Sequence, residues 1–482
     1  MSIKRYFSSK NYKDLAWSLV SIFINRGLAF LSIYVCGLFL TIRDFEIIGI
    51  VNVAQLFSSG FTNNGIKKII VAGKNENGDR YLKKLFYDDI LLSSVGSCLI
   101  LIYGFNALRS FENAWVVIII TAFSLPLINA SFFLESTYLI SSKFKSIALK
   151  SSLTSLIYHC FISLFAVLGL GYLSIACATI LEFITRILLY SKTFSTLLLE
   201  KFNSNPFKAF FAYKNSILYG FLLAFSSRGE LLLISNFTSE SFFGNYVFSI
   251  TLLGGLAVAV TQLIDKNILS IVSKKVKSNG WNLVVLDSYS QKGLYISKLF
   301  CVLIFLFLPV ISYLVWGEKW LSSNLILIAI SLVLPYRIIS QLYSTALIAQ
   351  GRWRDLVNLL IIQVCTIPIF FYIGVVLKKE LLLLLCLCSQ RLLASQLGYD
   401  KAARPFSNYS RLSLINNNFI KAHGLYFITG TSALILYSYF FNKMVVEGTN
   451  IDLFVYILFA SLISLFYLFA SGKNIKSLGN II

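Results

Sequence analysis

Leu15 to Thr41 reads LAWSLVSIFINRGLAFLSIYVCGLFLT, and its single charge is Arg26. A run of this length and apolarity crosses about 30 Å of hydrocarbon as one α-helix, which needs about 20 residues. It is continuously apolar and does not alternate, so it is not a barrel strand. The preceding MSIKRYFSSKNYKD is basic and polar. The apolar run continues well past the length of a signal-peptide core and lacks a small-residue cleavage site, so a retained helix is expected.

The same pattern recurs along the chain. We read spans over 15–41, 46–71, 85–105, 114–141, 149–169, 172–191, 214–236, 242–269, 293–315, 321–349, 357–377, 380–399, 422–442 and 452–472. Of the 482 residues, 57% are hydrophobic and 13% charged, against about 25% charged in soluble domains. Mean hydropathy is +0.77. The expected class is an all-α integral membrane protein of about 14 transmembrane helices, with 12 as the alternative. The weakest spans are 380–399, which holds Arg391, and the closely joined 149–169 and 172–191.

Charge tests this layout. With the N-terminus in the cytoplasm, 29 Lys and Arg residues fall in cytoplasmic segments and 6 in outer ones. That asymmetry is the positive-inside pattern. The net charge of +21 is therefore a topology signal, and nucleic-acid binding is not expected. Both termini are expected in the cytoplasm. The outer loops, such as FTSES at 237–241 and WGEKW at 316–320, are too short to fold. The basic loops 201–213 and 400–421 then divide the chain. Residues 1–200 form an N-lobe of six helices, 214–399 a C-lobe of six, and 422–482 an additional pair with a short tail. A faint repeat supports two lobes: Thr41-Ile-Arg-Asp-Phe45 and Thr238-Ser-Glu-Ser-Phe242 share T-x-x-x-F at the same joint of each block.

The eight cysteines all lie inside apolar runs and read as small hydrophobes. With only His159 and His423, no metal-ligand spacing exists, and no catalytic residue or cofactor is expected.

Polar groups in hydrocarbon are costly and face the bundle interior or a watery cavity. Ser18, Ser21, Asn25 and Ser32 form one stripe of the first span, flanked by Arg26. Asn52, Gln55, Ser59, Thr62 and Asn63 form another in the second. Ser216, Tyr219, Ser226, Ser227 and Glu230 stripe the seventh, while Arg228 points elsewhere. Arg337, Ser340, Gln341 and Ser344 stripe the tenth, just past Pro335. Packing between helices through small residues explains such stripes equally simply; the accompanying charges favour a lined cavity. Glu182 and Arg186, at i and i+4, read as a helix pair. Glu135, Asp265, Lys266 and Arg391 are secondary candidates, and Asp265 and Lys266 suit snorkelling at a helix end.

The stretch Leu38 to Val71, LFLTIRDFEIIGIVNVAQLFSSGFTNNGIKKIIV, resembles the opening of Wzx-type polysaccharide flippases. Lys214 to Lys274 resembles the start of that family's second lobe, with Thr238 to Gly244 at the joint, and Ala346-Leu-Ile-Ala-Gln-Gly351-Arg-Trp-Arg its tenth-helix exit. The family lies in the MOP superfamily with MATE exporters and MurJ-like lipid II flippases. The resemblance implies two six-helix lobes around a central cavity, and cargo carried on undecaprenyl pyrophosphate across the bacterial inner membrane. It also implies O-antigen or other surface-polysaccharide biosynthesis, with a polysaccharide polymerase and a chain-length regulator as partners besides the lipid bilayer. Fourteen spans match the MurJ-like members, whereas many Wzx proteins have twelve.

Three functions compete. A flippase needs cations for the cargo's pyrophosphate, and Arg26, Arg228 and Arg337 supply them, with Glu230, Asn25 and Gln341 beside them. A MATE-like exporter of cations or drugs would want carboxylates in the first lobe, and the first span offers Arg26 instead. A membrane polymerase or ligase would carry a large outer loop, which this sequence lacks. The energy source is expected to be a proton or sodium gradient or the membrane potential. The sequence does not encode the sugar readably.

Overall fold

The computed structural model describes residues 9–62, 79–108, 111, 114–140, 143–198, 206–263, 282–377, 380–406, 426–430, 432–434, 436–437, 456, 459–464 and 467. Among these residues there is helix and no strand. Among the described residues, seven helical stretches are long and apolar enough to cross a membrane, or eight counting one bent pair. The protein is thus a multi-pass helical membrane protein. Large apolar side chains project outward, including Phe23, Phe123, Tyr372 and Ile102. Such a surface suits lipid and not water.

The chain forms two compact units, Met1–Val247 and Phe248–Ile482. The first holds α1 (Ser9–Phe39), α2 (Ile42–Thr62), α3 (Asp79–Ala107), α4 (Trp115–Ile140), α5 (Phe144–Val167), α6 (Leu173–Leu189), the short α7 (Ser191–Leu198), α8 (Pro206–Arg228) and α9 (Glu230–Phe237). It also takes in the start of α10 (Glu240–Leu263). The second continues through α11 (Leu283–Trp316), a 3-10 turn (Gly317–Trp320), α12 (Leu321–Ala349), α13 (Trp353–Val376) and α14 (Glu380–Ala403).

The start of α2 shows why the chain turns where it does. The Thr41 N–H and hydroxyl both donate to Asp44 Oδ2 at 2.7 Å, and the Asp44 N–H donates to Thr41 Oγ1 at 3.2 Å. This reciprocal cap satisfies amide groups that a helix start leaves open. Asp44 Oδ1 also accepts from the Tyr172 N–H at 3.0 Å, which ties the cap to the α5–α6 turn. Gly171 sits there at φ +53°, and a Cβ on it would lie 2.6 Å from that same oxygen. Only glycine meets both demands.

Close approach continues along α2. A Cβ on Gly60 would lie 2.2 Å from the Phe221 ring of α8. One on Gly49 would lie 2.5 Å from Val247, and one on Gly244 2.4 Å from the Ile42 carbonyl. Small residues of this kind let membrane helices touch backbone to backbone. Around them Phe61, Phe86, Phe133 and Tyr190 make a buried aromatic core. The second unit buries Phe305, Tyr336, Leu342 and Tyr426 in its own core.

Candidate functional site

In the first unit, α1 lays its polar stripe against α5. Ser21 Oγ donates to the Ala148 carbonyl at 3.5 Å, and Ser152 Oγ to Ser21 Oγ at 3.3 Å. Asn25 Nδ2 donates to Ser151 Oγ at 3.3 Å, and Ser32 Oγ is hydrogen-bonded to His159 Nδ1 at 2.7 Å. The stripe therefore serves helix packing, the plainer of its two readings. Its register carries the charge along. Arg26 is half-buried one residue after Asn25. Arg26 Nε and Asn25 Oδ1 are both shielded and meet no hydrogen-bond partner among the described residues. A buried unsatisfied donor and acceptor are expensive.

The Glu182–Arg186 pair forms at 3.0 Å, and Arg186 also reaches Glu135 of α4 at 3.1 Å. The guanidinium lies over the Phe132 and Phe183 rings. Glu135 is thus one arm of an ion triad that ties α4 to α6.

The seventh sequence span is broken. The axes of Tyr213–Arg228 and Glu230–Phe237 turn by 54° at Gly229. A Cβ on Gly229 would lie 2.4 Å from the Phe225 carbonyl. Arg228 is the last residue of α8, with an exposed side chain, and Glu230 the first of α9, with a buried one. A cation at a helix C-terminus and an anion at an N-terminus each complement the helix dipole. Discontinuous helices of this sort hold charged cargo or ions in membrane transporters.

In the second unit, Arg337 and Gln341 are half-buried on α12. Ser340 Oγ donates to the Arg337 carbonyl at 2.8 Å and Ser344 Oγ to the Ser340 carbonyl at 3.1 Å. Two of the stripe's hydroxyls thus bond back to their own helix. Arg391 is half-buried within α14. Its neighbour Gln390 bridges to α13 through the Gln363 carbonyl and Thr366 Oγ1, both at 3.1 Å. Asp265 and Lys266 lie outside the described residues.

Among the buried charges that a reading by sequence stripe misses, three lie well inside the sequence spans. Lys298, only 5% exposed, lies inside α11. Asp88 and Asp89 are buried in α3, and Asp88 accepts from the Tyr213 hydroxyl at 3.5 Å. All three are visible as charges inside apolar runs, which is the signal that could have singled them out.

The family of polysaccharide biosynthesis proteins matches residues 38–325, more than half of the chain. The chain belongs to that family. In fold it is similar to the lipid II flippase MurJ in an inward closed conformation, with a TM-score of 0.64 at 16% identity. That match covers 96% of this chain and 99% of MurJ. A MATE transporter in complex with MaD5 matches with a TM-score of 0.54 at 15% identity, covering 82% of this chain and 95% of its own. A mutant of the Vibrio cholerae MATE transporter VcmN matches at 0.52 and 16% identity, covering 82% and 97%. No curated protein matches the sequence. The fold is therefore the one shared by MurJ and MATE transporters, as the sequence resemblance implies.

Proposed function

We propose that the protein carries an undecaprenyl-pyrophosphate-linked oligosaccharide from the cytoplasmic to the periplasmic leaflet of the bacterial inner membrane. Family membership supports a role in polysaccharide biosynthesis. The fold supports a transporter that moves cargo by alternating access, and MurJ is itself a flippase for lipid II. The observation that carries the reading is Arg26. It lies near the middle of α1, where a charge costs about 2.5–3.5 kcal/mol even on lenient scales. Its Nε has no hydrogen-bond partner among the described residues, and no acid lies within the membrane part of its own span. A permanent cation with an open donor fits a pyrophosphate. Arg228 and Arg337 supply further cations, and Glu230, at the α8–α9 break, is the candidate for coupling to a proton or sodium gradient.

The test is export in a bacterial host whose own copy is deleted, with protein level in the membrane measured in parallel. Arg26→Ala abolishes surface polysaccharide at normal protein level, and Arg26→Lys retains part of it. Full polysaccharide from Arg26→Ala overturns the reading. Loss of the protein itself would assign Arg26 to the structure instead.

A further inference from the structure

Pro335 lies inside α12. Proline has no N–H, so the Ser331 carbonyl four residues earlier loses its helical donor. In hydrocarbon no water replaces that donor. Here the Tyr426 hydroxyl donates to the Ser331 carbonyl at 3.0 Å, with both residues fully buried. Two more tyrosines of the C-terminal segments act on the same helix pair. Tyr437 donates to the Leu321 carbonyl of α12 at 2.6 Å. Tyr456 donates to the Leu306 carbonyl of α11 at 3.1 Å, three residues before Pro309.

Rings lock the same place. Tyr336, next to the proline, lies nearly parallel to Phe427 with centroids 6.0 Å apart, and at a steep angle to Tyr426 at 6.5 Å. The Lys298 ammonium stands 5.9 Å from the Tyr336 centroid and 5.7 Å from that of Tyr426. A Cβ on Gly430 would lie 1.9 Å from Leu332. The C-terminal segments are thus seated on α12 at its proline, about one turn of helix before Ser340 and Gln341. Tyr336 fixes how α12 is rotated about its axis. Arg337, the next residue, is then turned by about 100°.

We propose that the C-terminal helical segments brace α12 at Pro335, where the proline leaves the Ser331 carbonyl without its helical donor. In this arrangement Tyr426 is a positioning residue that aims Arg337 and Gln341. The second half of this statement rests on the reading of Arg337 as a cargo-binding group.

Two substitutions isolate the bond. Tyr426→Phe keeps the ring and removes the hydroxyl. Pro335→Ala returns an N–H to the Ser331 carbonyl, so the hydroxyl is no longer needed. Thermal unfolding of the purified protein in detergent and surface polysaccharide in cells are both read. Tyr426→Phe is expected to lower the unfolding temperature and cut export about tenfold, the effect of orphaning a buried acceptor. The double variant regains most of both. Wild-type behaviour of Tyr426→Phe overturns the brace, and so does a double variant that is merely the sum of its singles. If Tyr426→Phe does not accumulate, membrane level is the readout: recovery in the double variant supports the brace and its absence overturns it. A coupled change in unfolding temperature with export untouched overturns the positioning role. Export that survives Arg337→Ala would instead sink the cargo-binding reading, and the thermal coupling still tests the brace.

Discussion

Removing the Arg186 guanidinium would leave Glu135 and Glu182 facing one cavity without a counter-charge. Breaking a buried ion group from one side typically costs about 3–5 kcal/mol. Arg186→Ala is therefore expected to lower the unfolding temperature sharply and deplete the protein from the membrane. Arg186→Met combined with Glu135→Gln and Glu182→Gln removes all three charges and should restore both. If Arg186→Ala is as stable as the parent, the triad is ornamental. Glu230 is a different case, since it is buried beside a helix break. Glu230→Gln is expected to leave the protein level unchanged while altering the dependence of export on a collapsed proton or sodium gradient. Unaltered dependence removes Glu230 from energy coupling. The sequence shows some of these roles and hides others. Glu182 and Arg186 are four apart on one helix, so their bond is legible. Glu135 lies 51 residues away from Arg186, and only packing of α4 on α6 brings them together. The hydroxyl caps from Tyr426, Tyr437 and Tyr456 are hidden for the same reason.

At the scale of elements, glycine decides where helices break and cross. Gly229 has ordinary helical angles, so conformational freedom is not its purpose. Its purpose is space, because the bend brings the Phe225 carbonyl to where a Cβ would stand. Gly229→Val is expected to straighten or displace the α8–α9 joint and to lower export more than it lowers the amount of protein. Normal export by this variant would show that the bend is dispensable. Gly60→Val drives a side chain into the Phe221 ring, an overpacking that typically costs about 1–3 kcal/mol. Its measured signature is a lower unfolding temperature, and Phe221→Ala in the same chain should relieve it. Continuous apolarity reveals a span at 214–236 and conceals its break, since hydropathy sums over both halves. The T-x-x-x-F repeat is similarly half right. The helices following the joints start at Ile42 and Glu240. Thr41 caps the first, but Ser239 Oγ accepts from the Phe242 N–H at the second. The structural counterpart of Phe45 is then Phe243, one residue beyond the sequence match.

Helix direction gives the whole molecule an internal check on its threading. In a chain that crosses a membrane repeatedly, spans of the same parity run parallel and spans of opposite parity antiparallel. Within the first unit, α1 and α5 pair residue 25 with 151 and 32 with 159, offsets of 126 and 127 that make them parallel. They carry the first and fifth spans. Helices α4 and α6 pair 132 with 183 and 135 with 186, again parallel, and carry the fourth and sixth. Helices α3 and α4 pair 97 with 122 and 86 with 133, so they are antiparallel. Within the second unit, α12 and α14 are parallel through 329 with 388 and 343 with 399, as the tenth and twelfth spans should be. The C-terminal segment pairs 426 with 331 and 437 with 321, so it opposes α12 as a thirteenth span should. These contacts use none of the lysines and arginines counted in the loops, since Arg186 lies within a span. Within each unit, parity is consistent with the order of spans expected from loop charge. Parity leaves the direction of the whole array open, and the 29 to 6 excess of basic residues points the N-terminus into the cytoplasm. Reporter fusions decide between the two orientations. Fusions after Ser204, Ser278 and Asn417 are expected to read cytoplasmic, and one after Ser239, at the α9–α10 joint, periplasmic. The reverse set would invert the array while keeping every helix contact. A periplasmic reading at Ser278 alone would overturn the frame, because span 242–269 would then not cross and the four spans from there to Asn417 would have to cross an odd number of times.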